Sequence, residues 1–239
     1  MERALSFGTV AELYDEYRPG PPPRLLDHTG PLQGREVVEL GAGTGLVTRF
    51  LVAQGATVTA VEPDDDMRAV LLRRSPQVVA LANKAESISL PDASCVVIVA
   101  SSAWHWFDAA LVEAECARLL RDHGRLVVNW NGFARDREWI QRLTALREKE
   151  SRPRGWTAEL TATGAFHDVA HFEDAWSWPR TENQVVNLFR TYSGAIIQTE
   201  EARQGIDDEV RRQLREEFPA GDIEIPMVLR GTVATRAAR

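Results

Sequence analysis

From residue 36 onward, short apolar runs alternate with amphipathic segments, and this alternation constrains the fold more than any other feature. The runs are compact and rich in β-branched residues, as expected of strands buried on both faces of a sheet. Because helical patterns follow the first, second and fourth runs, the sequence predicts an α/β fold built on a doubly wound, mostly parallel sheet. The predicted strands are EVVEL (36–40), ATVTAVEP (56–63), QVVAL (77–81), CVVIVAS (95–101) and RLVVNW (125–130).

Composition narrows the class of protein and its partners. The chain has 239 residues, of which 44% are hydrophobic and 26% charged, as in an ordinary globular protein. A net charge of −7 argues against a nucleic-acid surface, which would need a basic patch. The N-terminal segment lacks the apolar core of a signal peptide, and the longest apolar run, CVVIVA, is too short to cross a bilayer. We therefore expect a cytoplasmic protein without a membrane partner, in which Cys95 and Cys116 are buried free thiols.

Outside the alternating region the patterning is less regular. The segment RPGPPPR (18–24) interrupts any helix and separates an N-terminal segment from the rest. Beyond Asn131 we predict a polar helix over 135–150 and a long helix over 200–217. The tail IEIPMVLRGTVATR (223–236) is predicted to be an edge strand, because Pro226 cannot donate a hydrogen bond to a neighbouring strand.

The loop after the first predicted strand carries Gly41, Gly43 and Gly45, and glycine turns at this position hold cofactors. A dinucleotide site would have a third glycine where this chain has Leu46. Glu39 also argues against a dinucleotide, because a carboxylate near a pyrophosphate is repelled at a cost of about 1 kcal/mol or more. S-adenosylmethionine carries an ammonium and a sulfonium and has no phosphate, so it suits a glycine turn beside an acid.

A second acid, Glu62, ends the second predicted strand 21 positions after Gly41. At this place a carboxylate can accept hydrogen bonds from both ribose hydroxyls of a bound cofactor. Because either kind of cofactor contains a ribose, Glu62 does not distinguish between them.

These motifs resemble those of the class I S-adenosylmethionine-dependent methyltransferases, specifically the small-molecule group called methyltransferase type 11. The matching stretches cover about residues 7–130 and include VVELGAGTGLVTRFL, VTAVEPDDDMRAVL and AESISLPDASCVVIVASSAWHWFD. YDEYRPGPPPRLLD is similar to the N-terminal segment of that group, where a helix packs over the cofactor. The resemblance implies a seven-stranded, Rossmann-like methyltransferase fold and S-adenosyl-L-methionine as cofactor, with S-adenosyl-L-homocysteine as product.

The resemblance also implies roles for individual residues. Glu39 and the Gly41–Gly45 loop would face the methionine end, Glu62 would bind the ribose, and Ser101 would lie beside the sulfonium. Tyr14 and Arg18 would close over the cofactor and bind its carboxylate. The implied cofactor-binding residues are Tyr14, Arg18, Glu39, Gly41, Ala42, Gly43, Glu62, Pro63, Met67, Ala85, Glu86 and Ser101, of which Pro63 and Met67 would border the adenine and Ala85 and Glu86 would contact its edge.

Several of these positions also have a simpler interpretation. The acids Asp64, Asp65 and Asp66 fit the charge preference of a helix N-terminus better than a metal site, so no metal is expected. Met67 could be core packing, and Ser101 could be a polar group at a strand end.

His105 follows the fourth strand and could accept a proton from a substrate at neutral pH, or it could pack against Trp104 and Trp106. His105 is therefore a candidate catalytic residue. We expect structural roles for His167 and His171, which lie in the predicted cap.

We therefore expect a single methyltransferase domain over residues 1–239. Its parts are an N-terminal helical lid segment (1–30), a cofactor-binding core (36–130), late strands interleaved with a substrate cap (131–222), and a C-terminal edge strand and tail (223–239). The expected function is methyl transfer to a small apolar or aromatic molecule beneath a cap that contains Trp156, Trp176 and Trp178. The alternatives are a catalytically silent protein that binds S-adenosylmethionine and, less favoured, an NAD(P)-dependent oxidoreductase.

Overall fold

The computed structural model describes residues 11–146, 158–160, 163–196 and 198–238. Within these residues the chain forms a seven-stranded sheet flanked by helices. The strands are β1 Glu36–Leu40, β2 Thr57–Val61, β3 Val79–Leu81, β4 Cys95–Ser101, β5 Leu120–Phe133, β6 Phe166–Arg180 and β7 Ile223–Arg236. The helices are α1 Ala11–Tyr17, α2 Leu25–Thr29, α3 Leu46–Ala53, α4 Asp65–Arg74, α5 Ala109–Leu119, α6 Glu138–Ala145, α7 Glu182–Arg190, α8 Ser193–Ile196 and α9 Glu200–Glu217.

The strand order is β3-β2-β1-β4-β5-β7-β6, and β1 to β5 are mutually parallel. The predicted doubly wound, mostly parallel sheet is therefore confirmed. From β1 the chain first moves outward to β2 and β3, and it then returns to add β4 on the other side of β1. Ligands of such sheets bind beside the carboxyl ends of the strands at this reversal point.

Apolar residues from the two faces of the sheet form two cores. On one face, Val38 and Ile98 pack with residues of α5 such as Val112 and Cys116. On the other face, Val37 and Val99 belong to a second cluster with residues of α3 and α4. Both faces of the parallel strands are covered, which explains why their sequences read as almost continuous apolar runs.

The two cysteines lie in the first of these cores as free thiols, as predicted. Burial raises the pKa of Cys95 to about 12 and that of Cys116 well above its usual value. Because the thiolate is the reactive form of cysteine, neither side chain is suited to act as a nucleophile.

The C-terminal strand corrects one prediction. β7 is not an edge strand: it pairs antiparallel with β5 on one side and with β6 on the other, so β6 is the edge. Pro226 is tolerated because the pairing of β5 with β7 ends at Phe133 and Met227, one residue short of the proline. On the side that faces β5, the Pro226 carbonyl accepts a hydrogen bond from the backbone N–H of Ala134 at 2.9 Å, and the missing N–H of Pro226 lies at the end of the ladder, where no further pair needs it.

A third core covers the extended ends of β5, β6 and β7. It joins α6, α7 and α9 through buried residues such as Trp139, Leu188 and Val210. The predicted helix over 200–217 is confirmed as α9, and the predicted helix over 135–150 is shorter, because α6 ends at Ala145. The part of that prediction over 147–150 lies outside the described residues.

Charged side chains attach the N-terminal helix α1 to the sheet domain. The carboxylate of Asp15, whose side chain is 5% exposed, accepts hydrogen bonds from Arg49 of α3 at 2.7 Å and from Arg74 of α4 at 3.1 Å. Just past α1, Arg18 donates from Nε to Thr191 Oγ1 at 2.8 Å and from Nη2 to the Thr191 carbonyl at 3.0 Å. The N-terminal segment thereby connects the parallel strands to the helices of the third core.

Candidate active site

A cavity of about 290 Å³ opens at the reversal point of the sheet. Its walls come from the loops after β1, β2, β4 and β5, from β7, and from the N-terminal segment beside α1. Of the predicted cofactor-binding residues, the structure brings together Tyr14, Arg18, Glu39, Gly41, Ala42, Gly43, Glu62, Pro63, Met67 and Ser101 around this cavity. The candidate catalytic residue His105 lines it as well.

The three glycines of the first loop have positive φ values, and each has a different neighbour. A Cβ on Gly41 (φ 63°) would lie 2.6 Å from the Cβ of Ala103, and one on Gly45 (φ 88°) would lie 2.9 Å from Leu71. At Gly43 (φ 57°) no atom lies within 4 Å of that position, although the residue lines the cavity. Gly41 and Gly45 therefore let protein groups pack closely, whereas Gly43 leaves open space for a ligand.

Glu39 is the next-to-last residue of β1, and its surface is 2% exposed. The hydroxyl of Thr48 donates a hydrogen bond to its carboxylate at 2.5 Å. Burial raises the pKa of Glu39 to about 8, and the nearby charge of Glu62 acts in the same direction. A buried carboxyl group with such a pKa is ready to ionise when a cation binds beside it.

Glu62 follows β2 and connects two loops. Its carboxylate accepts hydrogen bonds from the backbone N–H of Gly43 at 2.8 Å and from that of Asp64 at 2.9 Å. Burial raises the pKa of Glu62, and these two backbone N–H groups oppose that effect. Each carboxylate oxygen keeps acceptor capacity beyond its one backbone donor, as a diol ligand requires.

The residues after Glu62 serve both the helix and the cavity. Asp64 caps α4 by accepting a hydrogen bond from the backbone N–H of Met67 at 2.9 Å. Pro63 and Met67 line the cavity, and Met67 also packs against Ala11 and Val70. Met67 therefore belongs to both the core and the cavity wall, and its contact with a cofactor stays a prediction.

Arg18 reaches the cavity from the N-terminal segment. Its guanidinium lies 3.9 Å from the ring centroid of Tyr192 and 4.9 Å from that of Tyr14. Its hydrogen bonds to Thr191 involve neutral acceptors. Among the described residues no carboxylate forms an ion pair with Arg18, so a positive charge without an acidic partner lines the cavity.

Two predicted residues are placed elsewhere. Ala85 is buried in the core beneath the sheet, and Glu86 accepts a hydrogen bond from the backbone N–H of Asp108 at 3.0 Å. Neither residue lines the cavity. A contact between these two residues and an adenine edge stays a prediction.

Polar groups after β4 form the floor of the cavity. The hydroxyl of Ser101 donates to Asn129 Oδ1 at 2.9 Å, and the backbone N–H of Ser102 donates to the Asn129 carbonyl at 2.7 Å. Ser102 has a φ of 55°, which is uncommon for a residue with a side chain. The loop is therefore held in its turn by the neighbouring strand β5.

His105 belongs to a 3₁₀ turn over Trp104–Trp106 at the side of the cavity. Trp130 Nε1 donates a hydrogen bond to His105 Nδ1 over 3.4 Å, so in this arrangement a neutral His105 carries its proton on Nε2. Nε2 is then a hydrogen-bond donor. A proton-accepting role for His105 would require the hydrogen bond from Trp130 to break.

Several wall residues were not predicted from the sequence. The residues directly after β5 could have been found, because the rule that ligands bind at strand ends applies to β5 as to β1. Tyr192 and the β7 residues had no local signal. The cavity residues that the sequence analysis missed include Phe107, Trp130, Asn131, Phe133, Arg135, Tyr192, Val228 and Arg230.

The predicted tryptophan cap requires correction. Trp176 and Trp178 lie in strand β6 and pack in or against the third core, and neither lines the cavity. The alternation of the β6 sequence places them side by side on one face of the strand. Trp176 supports the cavity indirectly, because its Nε1 donates to Asn131 Oδ1 at 3.1 Å. Trp156 lies outside the described residues.

The remaining histidines of this region lie away from the cavity. His167 hydrogen-bonds Asp168 at 2.8 Å, and His171 hydrogen-bonds Thr232 Oγ1 at 3.0 Å. Within the described part of the chain, no cluster of three or more His, Cys, Asp or Glu side chains is suited to hold a metal ion. No helix among the described residues has the length and apolar character needed to span a membrane.

A glycine turn beside two buried carboxylates, at the reversal point of a mostly parallel sheet, is typical of Rossmann-like folds whose members bind a cofactor there. Residues 38–128 match the family model described as a methyltransferase domain. The chain is 34% identical to an uncharacterized methyltransferase of Mycobacterium tuberculosis (strain H37Rv), over 89% of this chain and 87% of the relative. The protein belongs to the class I S-adenosylmethionine-dependent methyltransferase family.

Other relatives and solved structures agree with this assignment. An uncharacterized methyltransferase of Schizosaccharomyces pombe is 29% identical over 60% of this chain and 59% of its own length. A proposed type II methyltransferase from Anaeromyxobacter dehalogenans has the same fold, with a TM-score of 0.63 and 21% identity over 93% of this chain and 98% of that chain. A phosphoethanolamine N-methyltransferase from Haemonchus contortus shares the fold with a TM-score of 0.56 and 15% identity, over 97% of this chain and 58% of that chain.

Proposed function

We propose that the protein transfers a methyl group from S-adenosylmethionine to a small-molecule acceptor bound in the cavity. The observation that carries this proposal is the pair of buried carboxylates, Glu39 and Glu62, on either side of the open space at Gly43. Two acids favour a ligand that carries positive charge and hydroxyl groups, and they oppose a pyrophosphate. The Haemonchus contortus enzyme of the same fold was solved with S-adenosylhomocysteine bound, which agrees with this choice of cofactor.

The residues of the cavity fit this cofactor. Glu39 would bind its ammonium group, Glu62 its ribose hydroxyls, and Arg18 its carboxylate. Gly43 would leave room for the part of the cofactor between its ammonium group and its ribose. Met67 and Pro63 would border the adenine base. The bound cofactor supplies an activated methyl group on a positively charged sulfur.

The protein's own contribution is to orient the acceptor and to exclude water. Positioning two reactants can lower a barrier by roughly 7–11 kcal/mol. The aromatic walls, among them Trp106 and Phe107, can stabilise a nearby positive charge by about 0.5–2 kcal/mol per contact. His105 Nε2 would hold the acceptor by donating a hydrogen bond, and would take a proton only after Trp130 has moved.

The test is thermal unfolding of the protein alone, with S-adenosylhomocysteine, and with NAD. A ligand at a hundred times its dissociation constant stabilises the folded state by about 2.7 kcal/mol, which raises the unfolding temperature measurably. We expect a shift with S-adenosylhomocysteine and none with NAD. The reverse pattern would show that the proposal is wrong and that the glycine loop binds a dinucleotide.

A second measurement separates an enzyme from a protein that only binds the cofactor. Release of S-adenosylhomocysteine is followed with a pool of small acceptors, for the protein and for a His105→Gln variant. If the protein is an enzyme, we expect measurable turnover that differs between the protein and the variant. The affinity for the cofactor should be the same in both. Tight cofactor binding without turnover on any acceptor would favour the silent protein.

A further inference from the structure

Charged side chains divide the cavity into two ends of opposite sign. The acidic end, at the loops after β1 and β2, contains Glu39 and Glu62. The basic end, after β5 and on β7, contains Arg135 and Arg230. Apart from these four residues, Arg18 is the one Asp, Glu, Lys or Arg side chain among the described residues that line the cavity. If Arg18 binds the cofactor carboxylate, the positive charge of the basic end has no partner in the cofactor.

Arg135 is the exposed residue that follows β5 by two positions. Its backbone carbonyl accepts a hydrogen bond from Gln141 Nε2 at 2.9 Å. Among the described residues its guanidinium forms no ion pair, although the neighbouring acid Asp136 is also exposed. An arginine that lines a cavity with an unengaged guanidinium can offer two parallel N–H donors to an anion.

Arg230 adds a second positive charge to the lining of the cavity, from β7 at the position opposite Trp130 of β5. It pairs with Glu173 of the edge strand at 2.7 Å and 3.2 Å, and both side chains of this pair are substantially exposed. Exposed pairs of this kind contribute at most about 1 kcal/mol, so the arginine can turn towards a ligand at little cost. Two cationic side chains that line one cleft raise the local concentration of anions.

The cavity also has aromatic walls. Trp130 and Phe133 line it from β5 at the basic end, and Tyr192 after α7 and Trp106 of the 3₁₀ turn line it as well. Trp106 is 43% exposed, which is unusual for so large an apolar side chain. A ligand with an aromatic or apolar body and one anionic group would satisfy both the rings and the guanidinium groups.

We propose that the methyl acceptor is a small organic acid whose anionic group, a carboxylate or a phosphate, is bound by Arg135. This inference rests on the proposed function, because it assigns the basic end to the acceptor and the acidic end to the cofactor. Arg135 is a specificity-determining residue in this proposal. The methylated atom is a separate group of the acceptor, or the carboxylate itself.

The experiment uses protein saturated with S-adenosylhomocysteine and measures ligand binding by saturation-transfer NMR at fixed ionic strength. Three pools share the same aromatic bodies, from benzoic to cinnamic length, and carry a carboxylate, a phosphate monoester or a primary amide. We expect at least one anionic pool to bind about tenfold more tightly than the amides, as for a charge-assisted hydrogen bond. The pool that binds better identifies the anion as carboxylate or phosphate.

Two variants test the assignment to Arg135. Arg135→Gln should lose about tenfold or more in anion affinity and leave S-adenosylhomocysteine affinity unchanged. Arg137→Gln is the matched control, because Arg137 is exposed on the same loop and does not line the cavity. It should bind the anions as the unmodified protein does.

Each outcome decides one question. Equal binding of amides and anions, binding of no pool, or equal behaviour of Arg135→Gln and Arg137→Gln would overturn the proposed acceptor class. In all these cases stabilisation by S-adenosylhomocysteine would leave the proposed function standing. If S-adenosylhomocysteine itself fails to stabilise the protein, the proposed function is wrong independently of the acceptor.

Discussion

The two ends of the cavity are built in different ways. The acidic end comes from two loops of neighbouring parallel strands, and the contact between Gly43 and Glu62 spans 19 positions in the chain. The basic end depends on contacts between distant segments, such as the pairing of Trp130 in β5 with Arg230 in β7 and the hydrogen bond of Asn131 with Gly20 over 111 positions. The acidic end is therefore built locally by neighbouring strands, whereas the basic end is assembled by tertiary packing.

This difference means that the two ends can vary separately. Changes in the late strands and helices alter the basic end without touching the glycine turn or its acids. Mutations at matched positions in the two ends should therefore separate cofactor binding from acceptor binding. The predictions below are arranged from the largest expected effect to the smallest.

The sharpest comparison uses two glycines that have no atoms within 4 Å of an added Cβ, Gly43 at the acidic end and Gly132 at the basic end. Gly43→Leu should weaken S-adenosylhomocysteine binding by about a hundredfold or more, because the side chain fills the ligand space. Gly132→Leu should keep that affinity and lose acceptor binding. Calorimetric titration measures the first effect and acceptor turnover the second.

The strain of a left-handed backbone must be separated from this effect. Gly43 has a φ of 57°, so leucine there should also lower the free energy of unfolding by roughly 1–2 kcal/mol. Gly132 has no positive φ and should show no such loss. Loss of cofactor affinity in Gly132→Leu rather than in Gly43→Leu would show that the two ends have been assigned the wrong way round.

The second prediction compares Glu62 at the acidic end of the cavity with Glu173, the ion-pair partner of Arg230. Glu62→Gln replaces a carboxylate that accepts from two backbone N–H groups with an amide that has a single oxygen. We expect a loss of about 1.5–3 kcal/mol in S-adenosylhomocysteine binding. Glu173→Gln, which removes the charge from the exposed pair with Arg230, is the control. It should change the free energy of S-adenosylhomocysteine binding by under about 1 kcal/mol. Isothermal titration with both variants measures the difference, and equal losses would contradict it.

The third prediction is a pH dependence that belongs to the acidic end. The folded-state pKa of Glu39 is about 8, above its ordinary value of 4.5, so the folded protein binds more protons than the unfolded chain between these values. Its contribution to stability is therefore present at low pH and is lost as pH rises towards 8.

Cofactor binding should have the opposite slope. A cation beside Glu39 favours the ionised carboxylate, so affinity should rise with pH up to about 8, with release of a proton on binding. Titrations at pH 6, 7 and 8 in buffers of different ionisation enthalpy measure both quantities. Glu39→Gln should remove the slope, and an unchanged slope in this variant would assign it to another group.

The smallest effect concerns the contact between Arg18 and Thr191, which attaches the N-terminal segment to the helices of the third core. Thr191→Val keeps the carbonyl that accepts from Arg18 and removes the hydroxyl, so unfolding should become easier by about 1 kcal/mol. Thr144→Val is the control, because within the described part of the chain its buried hydroxyl donates to the Gln141 carbonyl alone. The Thr191 hydroxyl makes the equivalent hydrogen bond to the Leu188 carbonyl at 2.6 Å in addition to its contact with Arg18. Chemical denaturation of both variants measures this difference. An equal effect of the two substitutions would show that the contact of Arg18 with the Thr191 hydroxyl adds nothing beyond burial.

The parallel half of the fold could be predicted from sequence because its signals are local. EVVEL coincides with β1 at Glu36–Leu40, and the four-residue spacing of apolar side chains located α9 at Glu200–Glu217. The acidic end followed from the same stretches, since Glu39, the glycines and Glu62 lie within 24 residues.

The basic end could not be predicted in this way. Pro226 indicated an edge strand. Nothing in the local sequence shows that the pairing of β7 with β5 ends at Met227, the residue next to the proline. Arg230 and Tyr192 reach the cavity only because β7 inserts between β5 and β6, and because α7 packs near Arg18. Such placements depend on contacts between distant segments, which periodicity along the chain does not record.

The position of β7 between β5 and β6 also determines the order in which strands can pair during synthesis on the ribosome. β6 emerges well before β7, the strand with which it pairs, so β5 and β6 have no common neighbour until residues 223–236 have been made. Because domains form as the N-terminal part of a chain emerges, the five parallel strands can associate while the outer edge of β5 is still unpaired. During that interval the outer edge of β5 and both edges of β6 are open to wrong pairing.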